Sequence, residues 1–224
     1  MASGGVLSGR RLESVLATNA VLRNTYVLLG LTMLFSALMS GVAMMSAAPA
    51  LNPFVTIIAY FALLFLTNYL RNSAWGLMSV FALTGFMGYT LGPILNYYIR
   101  GFSNGQELIM TSLGATGLIF FALSAYALTT RKDFSFASGF LMVGMLVAFL
   151  ASIATLFFHM PVLMLVVSAM FVLLSSGIIL LKTSEIIHGG ETNYIMATVT
   201  LYVALYNIFL SLLNLLGAFG GNRD

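Results

Sequence analysis

The chain contains no cysteine, only six carboxylates and two histidines, and charged residues make up 7% of its 224 positions. The missing thiols exclude disulfides, thiolate metal sites and cysteine redox catalysis. A soluble domain carries about 25% charged residues. This chain therefore lacks the polar surface of a globular cytoplasmic enzyme, a secreted protein or a nucleic-acid-binding module. Its net charge of +3 does not argue for nucleic acid, because in a membrane protein the placement of charges matters more than their sum. No HExxH motif offers a zinc site, no intramembrane aspartate pair offers an aspartyl protease, and His159 and His188 fall at opposite ends of the membrane, out of reach of a shared haem. Neither a metal nor a cofactor is expected.

What fills the chain is 60% hydrophobic residue, in continuous runs rather than amphipathic alternation, the pattern of helices in lipid. A span needs about 20 apolar residues. Seven fit, at about Thr25–Ala47, Phe54–Leu70, Ala74–Ile99, Leu108–Thr130, Phe134–Phe158, Val162–Leu181 and Tyr194–Phe219. The expected fold class is an all-α membrane protein, a seven-transmembrane-helix bundle over residues 21–224 behind a tail of residues 1–20. Barrel strands would alternate apolar with polar residues, and nothing here does. Pro49, Asn52 and Pro53 break the chain after the first span. Arg71 to Ser73, Arg100 to Glu107, Arg131 to Asp133 and His159 to Pro161 mark the next links, and the longest link runs from Lys182 to Asn193.

With the N-terminus in the cytoplasm, Arg10, Arg11, Arg23, Arg71, Arg131, Lys132 and Lys182 lie inside, and only Arg100 and Arg223 lie outside. This positive-inside bias alternates link by link, as seven spans require, and puts the C-terminus outside. Tyr69, Trp75, Tyr97, Tyr98 and Tyr194 sit near span ends, as interfacial aromatics do. The first 20 residues do not read as a signal peptide, since the apolar stretch that follows is too long and lacks a small-residue cleavage site. They read as a cytoplasmic tail, disordered at its Gly/Ser/Ala start and anchored by basic residues.

Glu13, Glu107, Asp133, Glu185, Glu191 and Asp224 all fall in links or tails, so no acid sits inside a span. Pumps and coupled transporters usually carry intramembrane ionisable relays, which argues against proton-coupled transport. Ser175, Ser176 and Gly177 have no histidine at matching depth and read as packing surface. In the last span Thr200, Asn207, Ser211 and Asn214 stand at offsets 0, 7, 11 and 14. At about 100° per residue they lie within about 40° of one direction. This polar stripe either hydrogen-bonds between helices or lines a water-accessible path or binding cleft. In the third span Gly88 and Gly92 form a GxxxG that permits close helix approach, and Pro93 frees a carbonyl and bends the helix. Packing with a kink, or a hinge beside a cavity, both fit. At the cytoplasmic mouth Lys182 and Glu185 are three apart and can pair if the sixth helix extends that far. With His188, Glu191 and the turn at Gly189-Gly190 they form either a solvated loop or a gate or docking loop.

Five stretches resemble the Bax inhibitor-1 family of membrane proteins. They are Glu185-Ile186-Ile187-His188-Gly189-Gly190-Glu191-Thr192-Asn193-Tyr194 with Leu201-Tyr202-Val203-Ala204-Leu205-Tyr206-Asn207-Ile208-Phe209; Thr130-Arg131-Lys132-Asp133-Phe134-Ser135-Phe136; Gly88-Tyr89-Thr90-Leu91-Gly92-Pro93-Ile94-Leu95-Asn96; and Val21-Leu22-Arg23-Asn24-Thr25-Tyr26. The last is similar to a bacterial branch of inner-membrane modulators of the FtsH protease. The resemblance runs from Val21 to Gly217, nearly the whole chain.

The resemblance implies a bundle whose seventh helix is central and wrapped by the other six. It also implies two functions. Calcium-leak members use an aspartate at the end of the sixth helix and another in the seventh as a pH-dependent latch, since nearby carboxylates share a proton. FtsH-linked members are membrane substrates and modulators of that protease, which grips their cytoplasmic N-terminal tail and works with its HflKC partner. Here the latch-equivalent positions are Lys182 and Ala204. Neither supplies a carboxylate, and Lys182 would repel a cation, whereas the family's asparagine is kept at Asn207. The expected function is thus a non-enzymatic modulator of FtsH in the bacterial inner membrane, in contact with lipid, with its C-terminus periplasmic. The alternative is a passive cation leak along the polar stripe.

Overall fold

A chain buried in lipid must satisfy its backbone hydrogen bonds within its own elements, and this one does so with seven long helices. The computed structural model describes residues 3–158 and 160–222, with side chains from residue 20 onward. The helices are α1 (Ser3–Met45), α2 (Pro53–Leu70), α3 (Trp75–Gly101), α4 (Gly105–Thr130), α5 (Ser138–Phe157), α6 (Pro161–Ile187) and α7 (Tyr194–Gly220), with a single 3-10 turn at Ser135–Ala137 leading into α5. Each holds a stretch long and apolar enough to cross a membrane, which in α1 is Ala20–Met45. No strand occurs among the described residues.

Two boundaries differ from expectation. The Gly/Ser/Ala start expected to be disordered is helical backbone from Ser3, continuous with the span; no proline interrupts it, and Leu, Arg and Glu are good helix formers. The side chains of Arg10, Arg11 and Glu13, like His159 and Arg223, lie outside the described residues. The second difference is in α6, which continues to Ile187. Nothing breaks that helix before Gly189, whose φ of +76° suits glycine alone at no steric cost. Lys182 and Glu185 therefore stand on the last turns of α6, not in the link.

The other ends follow local chemistry. Asn52 caps α2 by accepting from the Phe54 N–H at 2.9 Å, with Pro53 in the first turn. Asn193 caps α7 through the Met196 N–H at 3.0 Å. The same Asn193 amide donates to the Arg71 carbonyl at 3.1 Å and to Asn72 Oδ1 at 2.9 Å, joining the α2–α3 and α6–α7 links at one end of the bundle. At the other end Asn104 donates to the Gly220 carbonyl at 2.8 Å, and Asn96 to the Met44 carbonyl at 3.2 Å. Links thus alternate between two ends, as seven crossings demand.

The last helix is central, but it is not wrapped by all six others. It packs on α1, α3, α4 and α6, whereas α2 packs mainly on α3 and α5 on α6. Half of the most apolar stretch of α7 is buried, against 6% in α2 and 11% in α5. The core around α7 contains Leu29, Leu83, Phe120, Ile179, Tyr202 and Ile208. Tyr202 is 1% exposed; its hydroxyl meets Ser36 Oγ of α1 at 2.5 Å and donates to the Thr84 carbonyl of α3 at 3.3 Å. Tyr69, Trp75 and Tyr97 are exposed as expected of interfacial rings, but Tyr98 is buried, stacked on Phe102.

The GxxxG of α3 is a packing surface. A Cβ on Gly88 would strike the Ser36 carbonyl, and one on Gly92 would lie 2.5 Å from Ala43 Cβ. Gly114 and Gly117 of α4 have open space beside them. Gly88→Ala should therefore cost about 1–3 kcal/mol by overpacking, whereas Gly117→Ala should cost nothing. Thermal unfolding of both purified variants, followed by monodispersity on gel filtration, checks this; equal midpoints would refute it.

Candidate functional site

Because α2 and α5 stand off α7, a cavity of about 650 Å³ remains between α2, α3, α5, α6 and α7. Three of the four stripe residues, Asn207, Ser211 and Asn214, line it. The fourth, Thr200, donates to the Met196 carbonyl of its own helix at 2.9 Å and does not face the cavity. Asn214 donates to Ser168 Oγ of α6 at 2.8 Å, the interhelical bond that one reading of the stripe requires. Neither Asn207 nor Ser211 has a side-chain partner among the described residues, although Ser211 is only 6% exposed. The stripe therefore pins α6 through Asn214 and sets Asn207 and Ser211 against the cavity.

The rest of the polar wall is made of hydroxyls, among them those of Tyr60 and Tyr206, and several are already committed. Thr90, Ser152 and Ser168 donate to the Met87, Phe149 and Met164 carbonyls of their own helices at 2.7 to 2.9 Å. They offer the cavity lone pairs rather than protons. No charged side chain lines it. A second cavity of about 620 Å³ reaches from the α1–α2 link and shares Thr56, Thr90, Tyr97 and Ser152 with the first. Pro93 lines this second cavity, inside a helix that continues unbroken to Gly101.

At the opposite end is an ion-paired mouth. Lys182 Nζ lies 2.6 Å from Glu185 Oε2 and 3.2 Å from Glu191 Oε2, with side chains 16%, 29% and 18% exposed. Glu191 also accepts from the Asn193 N–H at 2.9 Å. One lysine thus ties the end of α6 to the cap of α7. Ala204 is buried in the core beside Tyr202 and Leu205. His188 Nδ1 lies 2.9 Å from the Ser184 carbonyl.

Two residues of this mouth escaped sequence reasoning. Ser184, 1% exposed, donates to the Lys132 carbonyl at 3.0 Å and accepts from the Phe134 N–H at 3.1 Å, which docks the α4–α5 link on α6. No local pattern marks it. Asn193 did carry a signal, an asparagine directly before an apolar run. Nearby, the Ser135 backbone N–H donates to Asp133 Oδ1 at 2.8 Å. That bond, then the Ser135 side chain, then the neighbouring His188 hold the Asp133 carboxyl below its usual range. The resulting support for the turn is present above the ordinary aspartate value and is lost as pH falls through the lowered one.

These features define a polytopic helical membrane protein with a central last helix, an internal cavity and a charge-clamped mouth. The chain belongs to the Bax1-I family, described as inhibitor of apoptosis-promoting Bax1, whose model matches residues 18–221. It is 50% identical over 212 residues to the Escherichia coli K12 protein called modulator of FtsH protease YccA, covering 95% of this chain and 96% of that one. It is 56% identical over 204 residues to an uncharacterized Pseudomonas aeruginosa protein, covering 91% of each. An uncharacterized membrane protein of Vibrio cholerae is 41% identical over 215 residues, covering 94% and 95%.

The clamp makes a measurable demand. Lys182→Ala would leave Glu185 and Glu191 facing each other without their shared cation, costing about 1–3 kcal/mol. Adding Glu191→Gln should recover part of that loss, because the repulsion goes with the charge. A double-mutant cycle on unfolding midpoints reads the coupling; strict additivity would mean that the three groups do not interact.

Proposed function

We propose that the protein is a non-enzymatic modulator of the membrane protease FtsH, residing in a bacterial inner membrane with its N-terminus cytoplasmic and its C-terminus periplasmic. The observation that carries this reading is the end-to-end similarity to the protein named for that role, which extends across every span. Two physical features support it. The positive-inside bias places Arg71, Arg131, Lys132 and Lys182 on the side of the tail, where a cytoplasmic ATP-driven enzyme would engage it. The bundle beyond the tail is tied at both ends and through its middle, so it would resist extraction and occupy the protease that holds its tail. HflKC would be met as part of the same assembly.

Affinity capture from native membranes, with and without residues 1–20, tests the reading. Recovery of FtsH and HflKC should weaken on tail removal, and the half-life of the truncated chain should lengthen in cells that contain FtsH. Absence of FtsH from both captures, together with an unchanged half-life, would sink it.

A passive cation pathway is the second reading, favoured by the cavity along Asn207, Ser211 and Asn214. Against it stand the lysine and alanine at the two latch-equivalent positions. Purified protein in liposomes holding a calcium dye discriminates: flux no greater than in empty liposomes, at acidic and at neutral pH, removes the pathway.

A further inference from the structure

The cavity has a wall that differs from the rest. Facing α7 it is bounded by packed helices; outward it runs between α2 and α5, which meet through aromatic rings, and toward the second cavity at the α1–α2 link. Phe61 and Phe149 are edge-to-face at 5.5 Å between centroids, and Phe54 and Phe157 tilt together at 6.1 Å. Phe54 and Phe157 are more than half exposed on the surface that faces lipid. Each aromatic pair is worth only about 0.5–1.5 kcal/mol beyond its burial, so α2 and α5 are held together weakly compared with the interfaces of α7. Behind this door lie an apolar, aromatic interior, the tyrosine hydroxyls of Tyr60 and Tyr206, and the Asn207 and Ser211 side chains, which have no hydrogen-bond partner among the described residues.

Such an interior selects its occupant. With no lining charge, a charged headgroup would enter unpaired, at a cost of several kcal/mol. A purely apolar chain would leave Ser211 and Asn207 unsatisfied. A volume of about 650 Å³ lies within the roughly 300–1,000 Å³ of small-molecule sites, which are apolar with a few convergent polar groups. We propose that the cavity is a binding site for an uncharged membrane amphiphile, an apolar chain bearing a neutral oxygen head such as a hydroxyl or ester. The amphiphile enters from the bilayer through the Phe61–Phe149 and Phe54–Phe157 door. Its chain lies among the aromatic side chains, and its head accepts from the Asn207 amide and exchanges hydrogen bonds with Ser211. This proposal does not depend on the protease reading.

The test uses the full chain in phosphatidylcholine vesicles and two photoactivatable probes with the same diazirine-bearing acyl chain: a monoacylglycerol, which is uncharged, and a phosphatidylglycerol, which is anionic. Labelling of cavity-lining peptides of α6 and α7 should favour the uncharged probe by roughly tenfold or more and be competed by plain monoacylglycerol. Asn207→Leu, close in size but unable to hydrogen-bond, should cut it several-fold, and so should the cavity-filling Ser211→Phe. The cysteine-free chain also permits Phe61→Cys with Phe149→Cys, locked by a short reversible crosslinker. Locking before the probe is added should block cavity labelling, and reduction should restore it. Equal labelling by the two probes, or labelling indifferent to Asn207→Leu, overturns the site. Unimpeded labelling of the locked protein overturns the door.

Discussion

One hydroxyl in the middle of the last helix organises the bundle. Tyr202 is almost wholly buried, in a region where an unsatisfied polar group has no water to turn to. It is satisfied only because α1 brings Ser36 to it and α3 brings the Thr84 carbonyl. That meeting requires α1 and α3 to lie against each other closely enough that no side chain fits between them, which is what Gly88 and Gly92 allow. Thr198 repeats the device nearer the charged mouth, donating to the Thr25 carbonyl of α1 at 3.2 Å. Three helices are thereby fixed around one polar point, and α4 and α6 complete the packing around α7.

The same arrangement explains why the larger cavity lies on the stripe side of α7, while the space between α1, α4 and α7 is a smaller one of about 360 Å³. Tyr202, Leu205 and Phe209 point from α7 toward α1 and α4, whereas Val203, Asn207, Leu210 and Ser211 point the other way. The tyrosine face is drawn tight by hydrogen bonds to α1 and α3. The stripe face is tied to α6 by the Asn214–Ser168 bond, and α2 and α5, which would have to fill the space, are committed to α3 and α6. In a membrane the hydrophobic effect does not drive helices together, so a helix without polar or small-residue contacts to its neighbour is not pulled inward. The gap is a consequence of where the polar side chains were placed.

Much of this was legible in the residues. Seven apolar runs, short links and alternating basic ends specify the topology, and the period of the polar stripe specifies which face of α7 opens. The i, i+3 spacing of Lys182 and Glu185 specifies a pair once α6 is known to reach it. What could not be read is what depends on meeting across the bundle. Tyr202 sits in a run of apolar and aromatic residues and looks like any core ring, since its partners lie 166 and 118 residues away. Ser184 looks like one more small residue at a helix end, yet it holds the α4–α5 link. The cavity is a property of α2 and α5 failing to reach α7, and the hydrophobicity of a helix says that it is in the membrane without saying what it touches.

The lysine at the mouth has a physical consequence of its own. Two acids facing each other across a helix end would share a proton, and their repulsion would change with acidity, which makes a titrating latch. A lysine set between Glu185 and Glu191 replaces repulsion with attraction on both sides. The contact is partly sheltered from solvent, so it is screened less than a surface pair. Glu191 passes the constraint to Asn193, and Asn193 passes it to the start of α7 and to the α2–α3 link. Parting the end of α6 from the cap of α7 therefore requires separating these charges. The charged end is thus tied across α6, α7 and the α2–α3 link, whereas the outer pair α2 and α5 is the least buried part of the fold.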